Sequence, residues 1–343
     1  MSDENNIGCT RLVHLDLGQV RDRERNWGTI VASLPELMAR GALPFEALFL
    51  AHYRLIRELA RNDAAGAGAV VIHAPSCRVA GRVWIARRPG RPNACIIGRH
   101  STSDLVLEHP SVSLRHLAMV VPPKGELPGE LTLHELRTPD GFYGELGQRM
   151  GGARVEGVGL FRLGAYALFT FATGQPERWP ELASDAWRDL CGATSAVSVV
   201  RPLPREPAFA SSSSHSPNVT AIRGPMQTNQ RLMDAGELRA GTLQVSSEAR
   251  RQRLAIGAEA LKRGVLLGRY DRCDSEEVLV STDISRVHLL VLQVGEHVYG
   301  IDTASTQGVF LDVEATRPER VVALSKGELA VLSDGQAVIC FRR

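Results

Sequence analysis

The chain has 343 residues, 44% of them hydrophobic and 23% charged, which excludes a wholly disordered chain and a single small stapled fold and leaves room for two or three domains. Forty basic residues against 38 acidic ones give a net charge of +2, a balance that argues against a dedicated nucleic-acid binder. Only Lys124, Lys262 and Lys326 among the basic residues are lysines, an arginine bias expected of a GC-rich bacterial genome.

The N-terminus, Met1-Ser2-Asp3-Glu4, lacks the basic-then-apolar order of a secretory signal, and no apolar run approaches the ~18 residues of a membrane span. A cytoplasmic protein without membrane contact is the expectation. Six scattered cysteines, Cys9, Cys77, Cys95, Cys191, Cys273 and Cys340, contain no C-x-x-C pair, so reduced thiols are expected and neither a zinc site nor a disulfide framework. In chain order, residues 1–66 read as a helical N-terminal extension. A short helix runs from about Leu34 to Arg40 behind Ser33, and an amphipathic helix runs from Pro44 to Arg61 with Phe45, Leu48, Phe49, Ile56 and Leu59 on one face. That face is expected to pack on the next domain.

From about Ala69 the periodicity becomes two, with strands predicted at Ala69–His73, Val79–Ala86, Ala94–Ile97, Leu117–Val121, Leu131–Leu136 and Tyr166–Phe171. Residues 67–178 therefore form a first β-sandwich. Residues 179–238 read as a linker. It carries one short helix near Glu181–Leu190, then Pro202, Pro204, Pro207 and the run Ser211–Ser214, too poor in apolar residues to order itself. Ser211–Ser214, Ser216 and Thr220 are accessible to a kinase there, although an inert spacer is the simpler reading. Strands resume over 239–343, at Thr242–Val245, Gln252–Ile256, Val265–Leu267, Leu289–Val294, Val298–Asp302, Val321–Leu324, Glu328–Leu332 and Ala337–Phe341. The expected class is mainly β: two sandwiches, a flexible linker and a small helical extension.

The two β-rich segments repeat one another. Gly98-Arg99 returns as Gly268-Arg269, Ser113…His116 as Ser285…His288 and Asp140-Gly141 as Gln307-Gly308, in the same order at offsets of 170, 172 and 167 residues. So long a period means a duplicated domain and not a solenoid. Ile97-Gly98-Arg99 with Val112-Ser113-Leu114-Arg115-His116, and Leu267-Gly268-Arg269 with Ile284-Ser285-Arg286-Val287-His288, resemble the forkhead-associated (FHA) family. Asp302-Thr303-Ala304-Ser305-Thr306-Gln307-Gly308 is similar to that family's D-x-x-S-x-N-G loop.

The resemblance implies an eleven-stranded sandwich whose loops at one end bind phosphothreonine peptides. A phosphate with roughly two negative charges needs a guanidinium fork, hydroxyls and backbone N–H groups converging on it. In the second copy the resemblance gives Arg269 and Ser285 as phosphate ligands, Arg286 as an assisting cation and Thr306 beside the phosphate or the threonine methyl. Gln307 stands at the family's asparagine position, one methylene longer, and Val309 replaces the usual threonine. Gly268, His288 and Gly308 are architectural, His288 bracing the loops. The first copy keeps Arg99, Ser113 and His116. It has Leu114 where the second has Arg286, a cation displaced to Arg115, and Asp140 in place of the amide, so it is expected to have lost most phosphate affinity.

No Gly-rich phosphate loop, G-x-S-x-G elbow, H-E-x-x-H or kinase signature is present, so catalysis and a cofactor are not expected. His52, His100, His109, His134 and His297 form no ligand-spaced pair. The functional expectation is a phosphothreonine-dependent adaptor in Ser/Thr kinase signalling, binding a kinase or its substrates mainly through the C-terminal module, with self-association left open. The alternative is a phosphorylation-independent scaffold, or an accessory protein of a larger assembly such as a secretion machine.

Overall fold

The computed structural model describes residues 43–125, 130–145, 147–192, 219–222, 232–233, 236–248, 250–275 and 278–343. The helix expected at Leu34–Arg40 and the serines Ser211–Ser216 lie outside these residues. The first described element is α1 (Phe45–Ala60), beginning just after Pro44 as the periodicity predicts.

The first sandwich is built from β1 (Gly66–His73), β2 (Arg78–Ala86), β3 (Asn93–Gly98), β4 (Leu105–Val106), β5 (Leu117–Val121), β6 (Glu130–Glu135), β7 (Phe142–Gly144), β8 (Arg149–Met150), β9 (Gly152–Glu156), β10 (Val158–Leu163) and β11 (Tyr166–Thr173). Helix α2 (Ala183–Gly192) and β12 (Val219–Ile222) follow. One sheet has the order β2-β1-β11-β10-β7-β8 and the other β12-β9-β6-β5-β3-β4. Between them lies a core that includes Val71, Ile85, Cys95, Ile97, Leu117, Met119, Leu133 and Phe161. Strands β7 to β10 carry no alternating pattern, because β10 is buried on both faces and the neighbouring strands are two to five residues long.

Two parts of the expected linker are structured. Helix α2 packs Trp187 against Phe49 of α1, and β12 extends the second sheet by pairing with β9 from Val219↔Val155 to Ile222↔Gly152. Helix α2 is the one expected near Glu181–Leu190, whereas β12 corrects the reading of Thr220 as free linker, because this piece borrows backbone partners from β9 instead of building its own core. Helix α1 and α2 together cover the outer face of the first sheet, where Phe45, Leu48, Phe49, Tyr53 and Ile56 meet Val70, Ile72, Phe169, Phe171 and Trp179. The predicted packing face of α1 is the observed one.

The second sandwich comprises β13 (Arg239–Ser247), β14 (Arg251–Gly257), α3 (Ala258–Arg263), β15 (Val265–Leu267), β16 (Leu289–Val294), β17 (His297–Asp302), β18 (Val309–Phe310), β19 (Val321–Val322), β20 (Ala330–Leu332) and β21 (Ala337–Arg342). Its sheets run β14-β13-β21-β20-β18 and β15-β16-β17-β19. Among the described residues Cys95 and Cys273 are buried free thiols and Cys77 and Cys340 are half-buried free thiols. Burial pushes the Cys273 thiol up to about 12.

The two sandwiches dock on each other through equivalent sheets. Ala94, Ile96, Ala118 and Val120 of the first form one apolar layer with Leu266, Leu290, Leu292, Tyr299 and Ile301 of the second. Ile96 and Leu266, Ala118 and Leu290, and Val120 and Leu292 are repeat counterparts. The chain thus carries an internal version of the self-complementary interface of a twofold dimer. Alternate residues of β3 face the core (Cys95, Ile97) and the seam (Ala94, Ile96), which is why this strand is apolar on both faces.

Polar groups pin the seam. Arg137 forks onto Asp274, with Nη1 to Oδ1 at 2.9 Å and Nη2 to Oδ2 at 2.7 Å. Arg320 reaches Asp104 at 3.0 Å. Asp104 and Asp274, again repeat counterparts, each also accept a backbone N–H, from Ile96 at 2.7 Å and from Leu266 at 3.0 Å.

Candidate functional site at the C-terminal sandwich loops

In each sandwich the same local rules bring the predicted residues together. The glycine before the arginine is required because its backbone runs against the serine loop. A Cβ on Gly98 would collide with the Leu114 carbonyl, and one on Gly268 with the Arg286 carbonyl. Backbone bonds then hold the two loops in register, Arg99 N to Ser113 O at 2.9 Å and Arg269 N to Ser285 O at 3.3 Å. The Nε of each arginine is anchored on the same loop, Arg99 to Val112 O at 3.1 Å and Arg269 to Ile284 O at 2.8 Å. Anchored at Nε, each guanidinium has no Nη bond to another group among the described residues.

The histidines brace the loops, as the resemblance implies. Ser285 N donates to His288 Nδ1 at 3.1 Å, so Nε2 carries the proton and donates to Gly308 O at 2.9 Å. The first copy repeats this with Ser113 N to His116 Nδ1 at 3.0 Å and His116 Nε2 to Gly141 O at 2.6 Å. Both rings are buried and accept an N–H at Nδ1, which favours the neutral form over the opposing pull of the carbonyl that Nε2 donates to. Burial holds His116 down at about 4 and also lowers His288. Gly308 sits at φ +85° and Gly141 at φ +63°, which suits glycine at the loop ends.

The third loop is locked by a carboxylate and a hydroxyl. Ser305 N donates to Asp302 Oδ1 and Gly308 N to Ser305 Oγ, both at 3.0 Å. Val309, which lacks the family's hydroxyl, is buried in β18, and the loop is held by Ser305 instead. The first copy carries the same lock in a form the sequence reading missed. Thr138 donates both N–H and Oγ1–H to Glu135 Oε1, and Gly141 N donates to Thr138 Oγ1 at 3.1 Å. A glutamate and a threonine stand where the second copy has Asp302 and Ser305, so matching by charge class would have found them. Burial pushes the Glu135 carboxyl up to about 7.

At the second site, Ser285 Oγ accepts the Thr306 N–H at 3.0 Å, which leaves its own proton free to donate. Arg269, Arg286, Thr306 and Gln307 are exposed around it, whereas Ser285 is 8% exposed. The Gln307 amide has no partner among the described residues, so the added methylene does not close the loop on itself. Gly268, His288 and Gly308 hold backbone geometry.

At the first site, Arg99 and Ser113 keep the corresponding places. Leu114 takes the position of Arg286, and Asp140 lies half-buried with Oδ2 shut away from solvent and from hydrogen-bond partners. Its carboxyl is raised by burial, which outweighs the attraction of Arg149 and of Arg272 from the other sandwich.

The displaced cation, Arg115, points out of its own site. It crosses the seam and donates from Nε and Nη2 to Ala304 O at 3.0 and 2.8 Å. Nη2 also stands 3.5 Å from both Ser285 Oγ and Thr306 Oγ1. Thr102 Oγ1 donates to the same Ala304 carbonyl at 2.6 Å, and Arg272 Nη1 donates to its counterpart, the Arg137 carbonyl, at 3.2 Å. Ala304 and Arg137 both sit in the left-handed region, at φ +60° and +53°, which turns these carbonyls toward the opposite sandwich.

No metal-ligating cluster of three or more His, Cys, Asp or Glu and no helix long and apolar enough to cross a membrane occur among the described residues. The paired braces, the glycine-dependent loop approach and the strand frame recur in both halves, so the two are sandwiches of one type, the one whose motifs resemble the forkhead-associated family. No family model matches the chain, and no curated protein matches it. Among solved structures, the chain is similar to the FHA-1 domain of Rv1747 from Mycobacterium tuberculosis, at 28% identity over 30% of this chain and 95% of that one, TM-score 0.24. It is also similar to the FHA domain of CT664 from Chlamydia trachomatis, at 15% identity over 31% and 95%, TM-score 0.26. A third similarity is to Mycobacterium tuberculosis EmbR, solved with a low-affinity phosphopeptide, at 20% identity over 36% of this chain and 30% of that one, TM-score 0.24.

Proposed function

We propose that this chain is a non-catalytic adaptor that binds phosphothreonine-containing proteins through its C-terminal sandwich, within Ser/Thr kinase signalling. One observation carries the reading: the Arg269 fork, fixed at Nε on the serine loop, and the Ser285 hydroxyl, fixed by the Thr306 N–H of the third loop, stand together with Arg286, Thr306 and Gln307 exposed around them. A phosphate dianion would receive charge-assisted bonds from the guanidinium and a bond from Ser285 Oγ–H, at little conformational cost.

The first sandwich plays a different part in this reading. Asp140 places a carboxylate where an amide would help, and Arg115 has been given up to the seam. Its role is to dock against the second sandwich.

Both assignments are tested by titrating the full chain with a labelled pool of phosphothreonine peptides and with the unphosphorylated pool. The phosphorylated pool should bind selectively. Arg269→Ala should remove bonds of about 1.5–3 kcal/mol, hence roughly ten- to 150-fold in affinity. Arg99→Ala should bind within about twofold of the wild type, inside the scatter expected of a substitution away from the site. Equal binding of the two pools would favour a phosphorylation-independent scaffold, and a loss on Arg99→Ala as large as on Arg269→Ala would return phosphate binding to the first copy.

A further inference from the structure

Arg115 is 9% exposed, yet among the described residues no carboxylate lies within ion-pair distance of its guanidinium. Its bonds go to one carbonyl and two hydroxyl oxygens, all on the second sandwich. Asp302, which attracts it from further off, is already engaged by Ser305 N and Arg320. Burying an arginine without a counter-charge is costly, and that cost is recovered where an anion will arrive.

The surroundings are cationic. Arg286 acts repulsively on Arg115, and His100 is lowered first by burial and then by the charges of Arg115 and Arg286. Arg269 and Arg286 likewise have no ion-pair partner among the described residues, whereas Arg137, Arg154 and Arg320 all do. Arg115 thus stands at the Ser285 and Thr306 hydroxyls, and Arg269 and Arg286 lie on the two loops beside them, none of the three with an ion-pair partner among the described residues.

We propose that the phosphate site of the C-terminal sandwich is composite, with Arg115 of the N-terminal sandwich as a direct phosphate ligand beside Arg269 and Ser285. The inference rests on phosphate binding at that site and adds to it that the site exists in full only when the two sandwiches are docked. It also accounts for the register of the first copy's serine loop. A cation at position 114 would serve the first site, whereas one at 115 crosses to the second. In the second copy the counterpart of Arg115 is Val287, which packs into the apolar seam.

The rival role for Arg115 is a staple on the Ala304 carbonyl. The experiment uses the full chain and the two peptide pools, phosphothreonine and threonine. Arg115→Met, which keeps length and packing, should weaken phosphorylated-pool binding about tenfold or more, the effect of removing a charged hydrogen bond, and Arg115→Lys should recover part of it. Thr102→Val, which removes the neighbouring bond to the same carbonyl without touching charge, should bind within about twofold of the wild type. In the wild-type chain the phosphorylated pool should shift the guanidinium N–H resonances of Arg115 together with those of Arg269, a readout that does not depend on any variant folding.

Selective binding that is lost with Arg269→Ala but kept with Arg115→Met, or an unmoved Arg115 resonance, would overturn the composite site and leave the C-terminal site standing. An equal loss with Thr102→Val, together with an Arg115 resonance that the phosphorylated pool leaves in place, would assign the effect to the seam and overturn it as well. Absence of selective binding by the wild type would overturn both.

Discussion

His116 and His288 show how one side chain can fix a loop and also set its pH range. Each accepts a serine N–H at Nδ1 and donates from Nε2, an arrangement open only to the neutral ring. Because burial depresses His116 to about 4 from an ordinary 6.5, its contribution to stability is fully present above pH 6.5 and is lost as pH falls toward about 4. His134, buried in the seam against the Arg263 carbonyl, is held at about 4 by burial and acts with the same sign. Glu135 has the opposite sign. Its folded value of about 7 lies above 4.5, so its contribution is present at low pH and lost as pH rises through 7. Following ring resonances by NMR, His116 and His134 should titrate near 4, with thermal stability of the chain declining between pH 6.5 and 4. A ring of His116 that titrates near 6.5 would show that the brace is not closed in solution.

At the scale of elements, α1 is a structural part of the first sandwich. Phe49 is fully buried and its ring stands 5.3 Å from those of Tyr53 and Trp187 and 6.0 Å from that of Phe169. Phe49→Ala would leave a cavity between two helices and a sheet that cannot all collapse onto it, and should cost about 3–5 kcal/mol. Leu50, on the opposite side of the helix and 38% exposed, should tolerate alanine at under about 1 kcal/mol. Chemical denaturation of the two variants checks this, and similar losses would mean that α1 does not hold its packed position in solution.

For the whole molecule the seam decides how the two copies relate. Arg137 and Asp274 have side chains only 7% and 5% exposed, so Arg137→Ala would strand a buried carboxylate and should cost about 3–5 kcal/mol. Arg91 and Glu328 also bridge the sandwiches, but at 37% and 28% exposure, and Arg91→Ala should cost about 1 kcal/mol or less. Limited proteolysis and denaturation of both variants separate the cases. Equal effects would show that the seam is wet and the sandwiches docked only loosely. A composite site gives this distinction a functional reading, since loosening the seam withdraws Arg115 from Ser285.

The amino-acid order by itself determined the duplicated β-rich frame, helix α1 and its packing face, and the Gly-Arg, Ser-x-x-His and Ser-x-x-Gly sets, because each depends on local periodicity or on a motif a few residues long. Strands β7 to β10 and the lock between Glu135 and Thr138 stayed hidden, the former for want of alternation and the latter because a longer acid and a different hydroxyl replaced the expected pair. Only the tertiary structure decided where Arg115, Arg137 and Asp274 act. Their partners lie more than 130 residues away on a seam formed by outer faces of two sheets, and the one trace of that seam in the chain is that β3, β5 and β16 are apolar on both sides. A buried strand shows that something covers it. Which surface covers it, and which cation that surface brings to Ser285, follows from long-range packing that no local pattern encodes.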